Sequence, residues 1–151
     1  MSKKIKILFL CTGNSCRSQM AEGLARHLKD TEIEPFSAGT EPKKIDPLAV
    51  EAMNEIGIDI SGQRAKHVDE IINTAFDFVV TMCGNARETC PVFPGPARII
   101  HRGFEDPPAL AASAKTREET MAHYRAVRDE ITKFINTLPG SLNTDQDFII
   151  R

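Results

Sequence analysis

The segment Cys11-Thr12-Gly13-Asn14-Ser15-Cys16-Arg17-Ser18 places a thiol and a guanidinium six residues apart around a short, glycine-containing stretch. Backbone amides converging in such a loop, with the free amides of a following helix, would form a socket for a tetrahedral oxyanion. Arg17 would grip two of its oxygens with a planar fork. The same positive field is expected to lower the pKa of Cys11 and make it a thiolate nucleophile. Ser18 is close enough in sequence to donate to that thiolate, and Gly13 and Asn14 are residue types that accept unusual dihedrals. Thr12, Gly13, Asn14, Ser15, Cys16 and Arg17 are therefore the predicted substrate-binding residues. Cys16 reads first as a packed thiol and second as a wall of the socket.

Two further thiols, Cys83 and Cys90, bracket the polar segment Gly-Asn-Ala-Arg-Glu-Thr, which Pro91 terminates. If that segment is helical, the two Cα atoms lie about 10.5 Å apart, whereas a disulfide needs roughly 4.4 to 6.8 Å. Oxidation would then require unwinding, as in a switch and unlike a permanent staple. Asp106, followed by Pro107 on a turn, is a candidate acid for protonating a leaving oxygen, with Glu105 as the alternative. Cys83 and Cys90 are too far apart for a usual zinc knuckle and Arg17 would repel a cation, so no metal and no cofactor are expected. His27, His67, His101 and His123 form no ligand pattern.

Elements must carry these groups to one place. Residues 5–10 are short, largely apolar and rich in Ile and Leu, as in a buried strand that runs directly into the cysteine loop. From Arg17 onward Met20, Leu24 and Leu28 recur every fourth residue beside Ala21 and Ala25, which predicts an amphipathic helix. Residues 35–37 suggest a short strand. Asp46-Pro47 supplies an N-cap and a first-turn proline for a helix with apolar positions Ala49, Ala52, Met53 and Ile56, closed by Gly57. A short helix is expected around 68–72, a second buried strand over 76–82 and a last strand over 98–101. Residues 117–138 carry the clearest helical periodicity, which Pro139-Gly140 ends.

Strands alternating with helices predict an α/β fold: a four-stranded parallel sheet with helices on both faces, ligands binding beyond the carboxyl ends of the strands. The cysteines after the first and third strands would share that edge. One catalytic domain over residues 1–140 and a tail over 141–151 are expected, without repeats or low-complexity stretches. The chain has 151 residues and a net charge of -2. That near-neutral balance offers no broad basic field for nucleic acid and no polybasic run for an anionic bilayer. No stretch has the apolar length of a signal peptide or membrane span. Four cysteines in a chain without such segments suit catalysis or redox chemistry in a reducing compartment, so the cytoplasm is expected.

Residues 11–18, the following Gln19-Met20-Ala21-Glu22-Gly23, Ser37-Ala38-Gly39, residues 81–90 and residues 103–107 together resemble the thioredoxin-coupled arsenate reductases, over nearly the whole chain to about residue 138. That family shares its fold and phosphate loop with the low-molecular-weight protein tyrosine phosphatases. The resemblance implies that Cys11 attacks arsenate, with Arg17 and loop amides holding the oxygens and Asp106 assisting proton transfer. It implies that Cys83 then attacks Cys11, releasing arsenite, and that Cys90 resolves the bond into a Cys83–Cys90 disulfide reduced by thioredoxin. In related reductases Asn14, Glu22 and Ser37 correspond to part of a potassium site, but its remaining acidic position aligns with Lys66, whose ammonium would replace the ion. A monomer is expected.

Two other readings compete. A phosphatase would hydrolyse phosphate monoesters with the same loop, yet Pro108 and Ala109 stand where those enzymes carry the aromatic residues of a phosphotyrosine cleft. A redox or oxyanion sensor would use the same thiols to switch a surface without turning over.

Overall fold

The structure is a computed structural model and describes residues 3–95 and 97–143. Four strands, β1 (Ile5–Cys11), β2 (Ile33–Gly39), β3 (Phe78–Thr81) and β4 (Arg98–His101), form one sheet in the order β2-β1-β3-β4. Every pairing is parallel. The predicted architecture is the one observed.

The central strand explains why its sequence is almost continuously apolar. Successive side chains of a strand point to opposite faces. Here Ile7 and Phe9 enter one core and Leu8 and Leu10 the other, all four fully buried. The first core lies under α1 (Arg17–Leu28), α2 (Pro47–Asn54) and α5 (Arg117–Asn136). The second is smaller, built from Phe76, Val79, Phe93 and Ala86 of α3 (Gly84–Glu88). There Phe76 meets Phe36 and Phe93 edge-on, at centroid distances of 5.2 and 5.8 Å.

The connections diverge at the middle of the sheet. From β1 the chain crosses through α1 to β2, and from β2 it returns over β1 to β3 on the far side. The crevice above the carboxyl ends of β1 and β3 is thus the switch point at which open parallel sheets bind ligands. Cys11 is the last residue of β1, and Cys83 is the N-cap of α3 just past β3.

Several boundaries differ from expectation for local reasons. β2 runs the full length of β1 although Pro35 and Glu34 interrupt its apolar pattern, because it is an edge strand with Glu34 exposed. β3 is shorter than residues 76–82, and the expected helix near 68–72 is a single 3-10 turn, Val68–Glu70. Leu28 and Ile56 end their apolar stripes exposed, 41% and 40%, because each lies at or past the end of its helix. Asp46 caps α2 by accepting from the Leu48 amide at 2.9 Å, and Gly57 adopts a left-handed φ of +80°, both as predicted. Past α5 the chain makes a 3-10 turn, Gly140–Asn143, and Leu142 is fully buried, so packing continues beyond residue 140. The apolar residues 148–150 lie outside the described residues.

Candidate active site

The loop from Cys11 to Cys16 is shaped by what its carbonyls do. Those of Cys11, Thr12, Gly13 and Ser15 accept from the amides of Thr40, Glu41, Lys43 and Asp46 at 2.8 to 3.3 Å, and that of Asn14 accepts from Gln19 Nε2 at 2.9 Å. With the carbonyls engaged on the outside, the amides of residues 13–16 find no backbone acceptor among the described residues. Such a nest of free amides is an anion site. Asn14 makes the turn with a φ of +48°; Gly13 does not adopt a left-handed conformation. Gly39 is needed for a different reason: a Cβ there would stand 2.5 Å from Thr12 O and 2.9 Å from Asn14 N.

Asn14 is also the buried anchor of the loop. Its Nδ2 donates to Ser18 Oγ at 2.9 Å and its Oδ1 accepts from the Lys66 amide at 2.9 Å. Ser18, fully buried, accepts from Asn14, and its hydroxyl proton is left for another acceptor. The Lys66 ammonium donates to Ser37 O at 2.9 Å, while Ser37 Oγ donates to Glu22 Oε1 at 2.5 Å. Burial lowers the pKa of Lys66, and the nearby Glu22 carboxylate opposes that. Asn14, Glu22, Ser37 and Lys66 thus meet as the resemblance implied. A potassium ion does not fit this group, because an ammonium already supplies the positive charge and fills the Ser37 carbonyl.

A cavity of about 300 Å³ opens over the loop, lined by Cys11, Thr12, Gly13, Ser15, Cys16, Arg17, Lys43, Asp106 and Pro108. Arg17, at the first position of α1, donates from Nη1 to Phe104 O at 2.9 Å and approaches Asp106 Oδ1 at 3.6 Å with Nη2. Its Nε is buried with no partner among the described residues. A buried donor without an acceptor costs about 1–3 kcal/mol, so this one marks where an anionic oxygen is wanted. Asp106 lines the pocket and Glu105 does not.

The thiols are arranged unequally. The ionisations of Cys11 and Cys83 oppose each other. Cys83 receives the Thr12 hydroxyl at 3.2 Å and the Ala86 amide at 3.4 Å. Cys11, the Thr12 hydroxyl, the Ala86 amide and Arg17 together bring the Cys83 pKa down to about 4. Cys11, contrary to the sequence expectation, is held above its ordinary value by Cys83 and by burial, although Arg17 and the Thr12 amide pull it down. The first negative charge of the pair rests on Cys83. Cys16 is 4% exposed and its pKa is raised by burial and by Asp46 and Asp106, as suits a packed thiol. All four thiols are reduced; Cys90 lies beyond the C-cap of α3 and donates to Pro91 O at 3.6 Å.

Sequence reasoning missed Lys43, Gly39, Gln19 and the pair Tyr124 and Asp46, whose hydroxyl-to-carboxylate bond of 2.5 Å ties α5 to the cap of α2. Apart from the Gln19 bond to Asn14, each acts through a partner distant in sequence that no local pattern announces.

Residues 6–147 match the low molecular weight phosphotyrosine protein phosphatase family. The chain belongs to that family. Within it, the chain is 53% identical to an arsenate reductase of Shouchella clausii, over 87% of this chain and 91% of the relative. Among solved structures it resembles an arsenate reductase in the phosphate binding state, with a TM-score of 0.71, 30% identity, and coverage of 92% of this chain and 99% of the other. It also resembles the thioredoxin-dependent arsenate reductase of Corynebacterium glutamicum, with a TM-score of 0.62, 29% identity, and coverage of 91% of this chain and 65% of the other. The phosphatase-family cavity in this chain carries no aromatic side chain among its described lining residues.

Proposed function

We propose that this phosphatase-family enzyme is an arsenate reductase in which Cys11, Cys83 and Cys90 pass two electrons to arsenate and thioredoxin returns them. The observation that carries the reading is a second thiol, Cys83, held 3.2 Å from Thr12 Oγ1 beside an amide nest with an unpartnered guanidinium Nε. A phosphatase needs only the first thiol, Cys11. The curated relatives and the structural likeness to reductases support the same choice.

The steps balance as follows. Arsenate enters the nest with its oxygens on the loop amides and Arg17. Cys11 passes its proton to the Cys83 sulfur, and its own sulfur attacks arsenic(V). Asp106 protonates the departing oxygen, which leaves as water, and a Cys11–arsenic bond remains. Cys83 gives its proton to an arsenic-bound oxygen and attacks the Cys11 sulfur; the Cys11–arsenic bond breaks, its electron pair stays on arsenic, and arsenite departs as arsenic(III). Cys90 then attacks Cys83, releasing the Cys11 thiolate and leaving a Cys83–Cys90 disulfide. Thioredoxin supplies two electrons and two protons to reopen it. The helix α3 (Gly84–Glu88) lies between the two thiols, and it unwinds for Cys90 to reach Cys83. This chemistry belongs in a reducing compartment, the cytoplasm.

The test is arsenite formation with thioredoxin, thioredoxin reductase and NADPH, comparing wild type with Cys83→Ser and Cys90→Ser. Continuous turnover in wild type, one equivalent of arsenite or less in Cys90→Ser and no arsenite in Cys83→Ser are expected. Hydrolysis of an aryl phosphate that is indifferent to both substitutions, without arsenite, would make the chain a phosphatase instead. Reversible oxidation without any turnover would make it a sensor.

A further inference from the structure

Lys43 is the second cation of the oxyanion pocket, and neither the loop pattern nor the thiol cascade assigns it a role. Its amide donates to the Gly13 carbonyl at 2.8 Å, which fixes its Cα at the rim of the loop. Its Cγ and Cδ run over Gly13, 3.6 and 3.5 Å from where a Cβ at that position would stand. Gly13 thus presents a bare backbone over which the lysine stem lies, and the residue forms part of the cavity wall together with Arg17 and Asp106. Lys44, the next residue, does not line the cavity.

Charge balance shows why a second cation matters. Arg17 is the only guanidinium in the cavity wall, and it already faces Asp106 at 3.6 Å. The thiol pair beneath contributes a negative charge, centred on Cys83. Arsenate and phosphate near neutral pH are mixtures of mono- and dianions. Without Lys43, a dianion would enter a wall whose single guanidinium is shared with a carboxylate, above a thiolate. With it, the wall carries two cations. The remaining favourable field comes from amides, which supply partial charge only.

We infer that Lys43 is a substrate-binding residue that captures the dianionic form of a tetrahedral oxyanion at the mouth of the pocket. The inference rests on the oxyanion pocket of the proposed function but not on the redox cascade. Lys43 acts on capture and leaves the chemical steps to Cys11, Cys83 and Asp106. Removing it therefore raises KM without lowering kcat, as expected for an interaction made equally in the ground and transition states.

The experiment compares Lys43→Gln, Lys43→Arg and Lys44→Gln with wild type. It reads the arsenate KM and kcat, and the affinity for inorganic phosphate by calorimetry, at low and raised ionic strength. In Lys43→Gln, KM and the phosphate Kd are expected to rise together by about tenfold at low salt, a size set by one partly solvated charge contact. Kcat stays within about twofold, Lys43→Arg restores both constants, and raised salt narrows the gap. Lys44→Gln behaves as wild type. Unchanged constants in Lys43→Gln, an equal loss in Lys44→Gln, a fall in kcat at constant KM, or failure of arginine to rescue would each overturn the assignment. Phosphate affinity needs no turnover, so it judges Lys43 even if wild type reduces no arsenate; that outcome would sink the proposed function alone.

Discussion

Thr12 Oγ1 and Cys83 Sγ lie 3.2 Å apart, so the sulfur at the cap of α3 is tied to the first residue of the loop after Cys11. Cys83 also accepts the Ala86 amide at 3.4 Å. Cys11, the Thr12 hydroxyl, the Ala86 amide and Arg17 together favour the ionised form of Cys83. Cys83 and burial hold Cys11 above its ordinary value, against Arg17 and the Thr12 amide.

This pairing gives a prediction about reactivity. A thiolate with a pKa of about 4 stays ionised as pH falls from neutrality and is lost only near that value. Cys83 should therefore be alkylated by iodoacetamide at pH 6 almost as fast as at pH 8, while Cys11 reacts slowly at both. Cys11→Ala removes the largest cause of the shift, so the Cys83 profile should move to higher pH. Peptide mapping of the alkylated protein reads both sites. Preferential labelling of Cys11 at pH 6 would show that the charge sits on the other sulfur.

Asp106 stands in the cavity wall within 3.6 Å of Arg17, and its side chain is 42% exposed. An acid that meets both solvent and the pocket can reload its proton between turnovers. Asp106→Asn should lower kcat by about a hundredfold, the lower end of the range for general acid catalysis. Substrate affinity should be unchanged or improved, because Arg17 loses its competing carboxylate. Stopped-flow measurement of the first arsenite equivalent isolates this step. The same loss in Glu105→Gln, with Asp106→Asn near wild type, would transfer the role to the neighbour.

Gly39 tests the framework of the loop. A methyl group there would meet Thr12 O at 2.5 Å and Asn14 N at 2.9 Å, both backbone atoms that cannot swing away. Gly39→Ala should cost about 1–3 kcal/mol, as overpacking commonly does, and should abolish phosphate binding by displacing the nest. Gly62→Ala is the control, since nothing lies within 4 Å of its Cβ. Urea denaturation and phosphate calorimetry on the two variants give the comparison. Equal behaviour would mean that the loop tolerates displacement.

The central strand, the cysteine loop, α1 and α5 were legible because each carries a local signal: an apolar run, a glycine between polar residues, or a four-residue period. Parallel strands alternating with helices also placed Cys11 and Cys83 at one edge without coordinates. What escaped was set by contacts between segments. Nothing near residue 39 says that Thr12 and Asn14 crowd it, and nothing near Lys43 says that Gly13 lies beneath its stem. The charge on Cys83 depends on donors from β1, the loop and α3 at once, so it becomes visible only when the three meet.

Lys66 completes the network behind the loop, where its ammonium stands in the place the resemblance gives to a potassium ion. Its ammonium donates to Ser37 O at 2.9 Å and its amide to Asn14 Oδ1, so one residue holds both the β2 edge and the loop anchor. Glu22, 7% exposed, is neutralised from two sides by Arg26 at 2.7 Å and by the nearby Lys66. Activity and thermal midpoint should therefore be the same in potassium and in a bulky organic cation at equal ionic strength. Lys66→Met should lose about 1–3 kcal/mol, the cost of leaving buried acceptors unpaired. Lys66→Asp would face Glu22 with a second carboxylate beside the Ser37 carbonyl and the Asn14 amide oxygen. That variant should be unstable in the organic cation and regain its midpoint as potassium is added. A wild-type midpoint that rises with potassium would mean that the ion binds despite the ammonium.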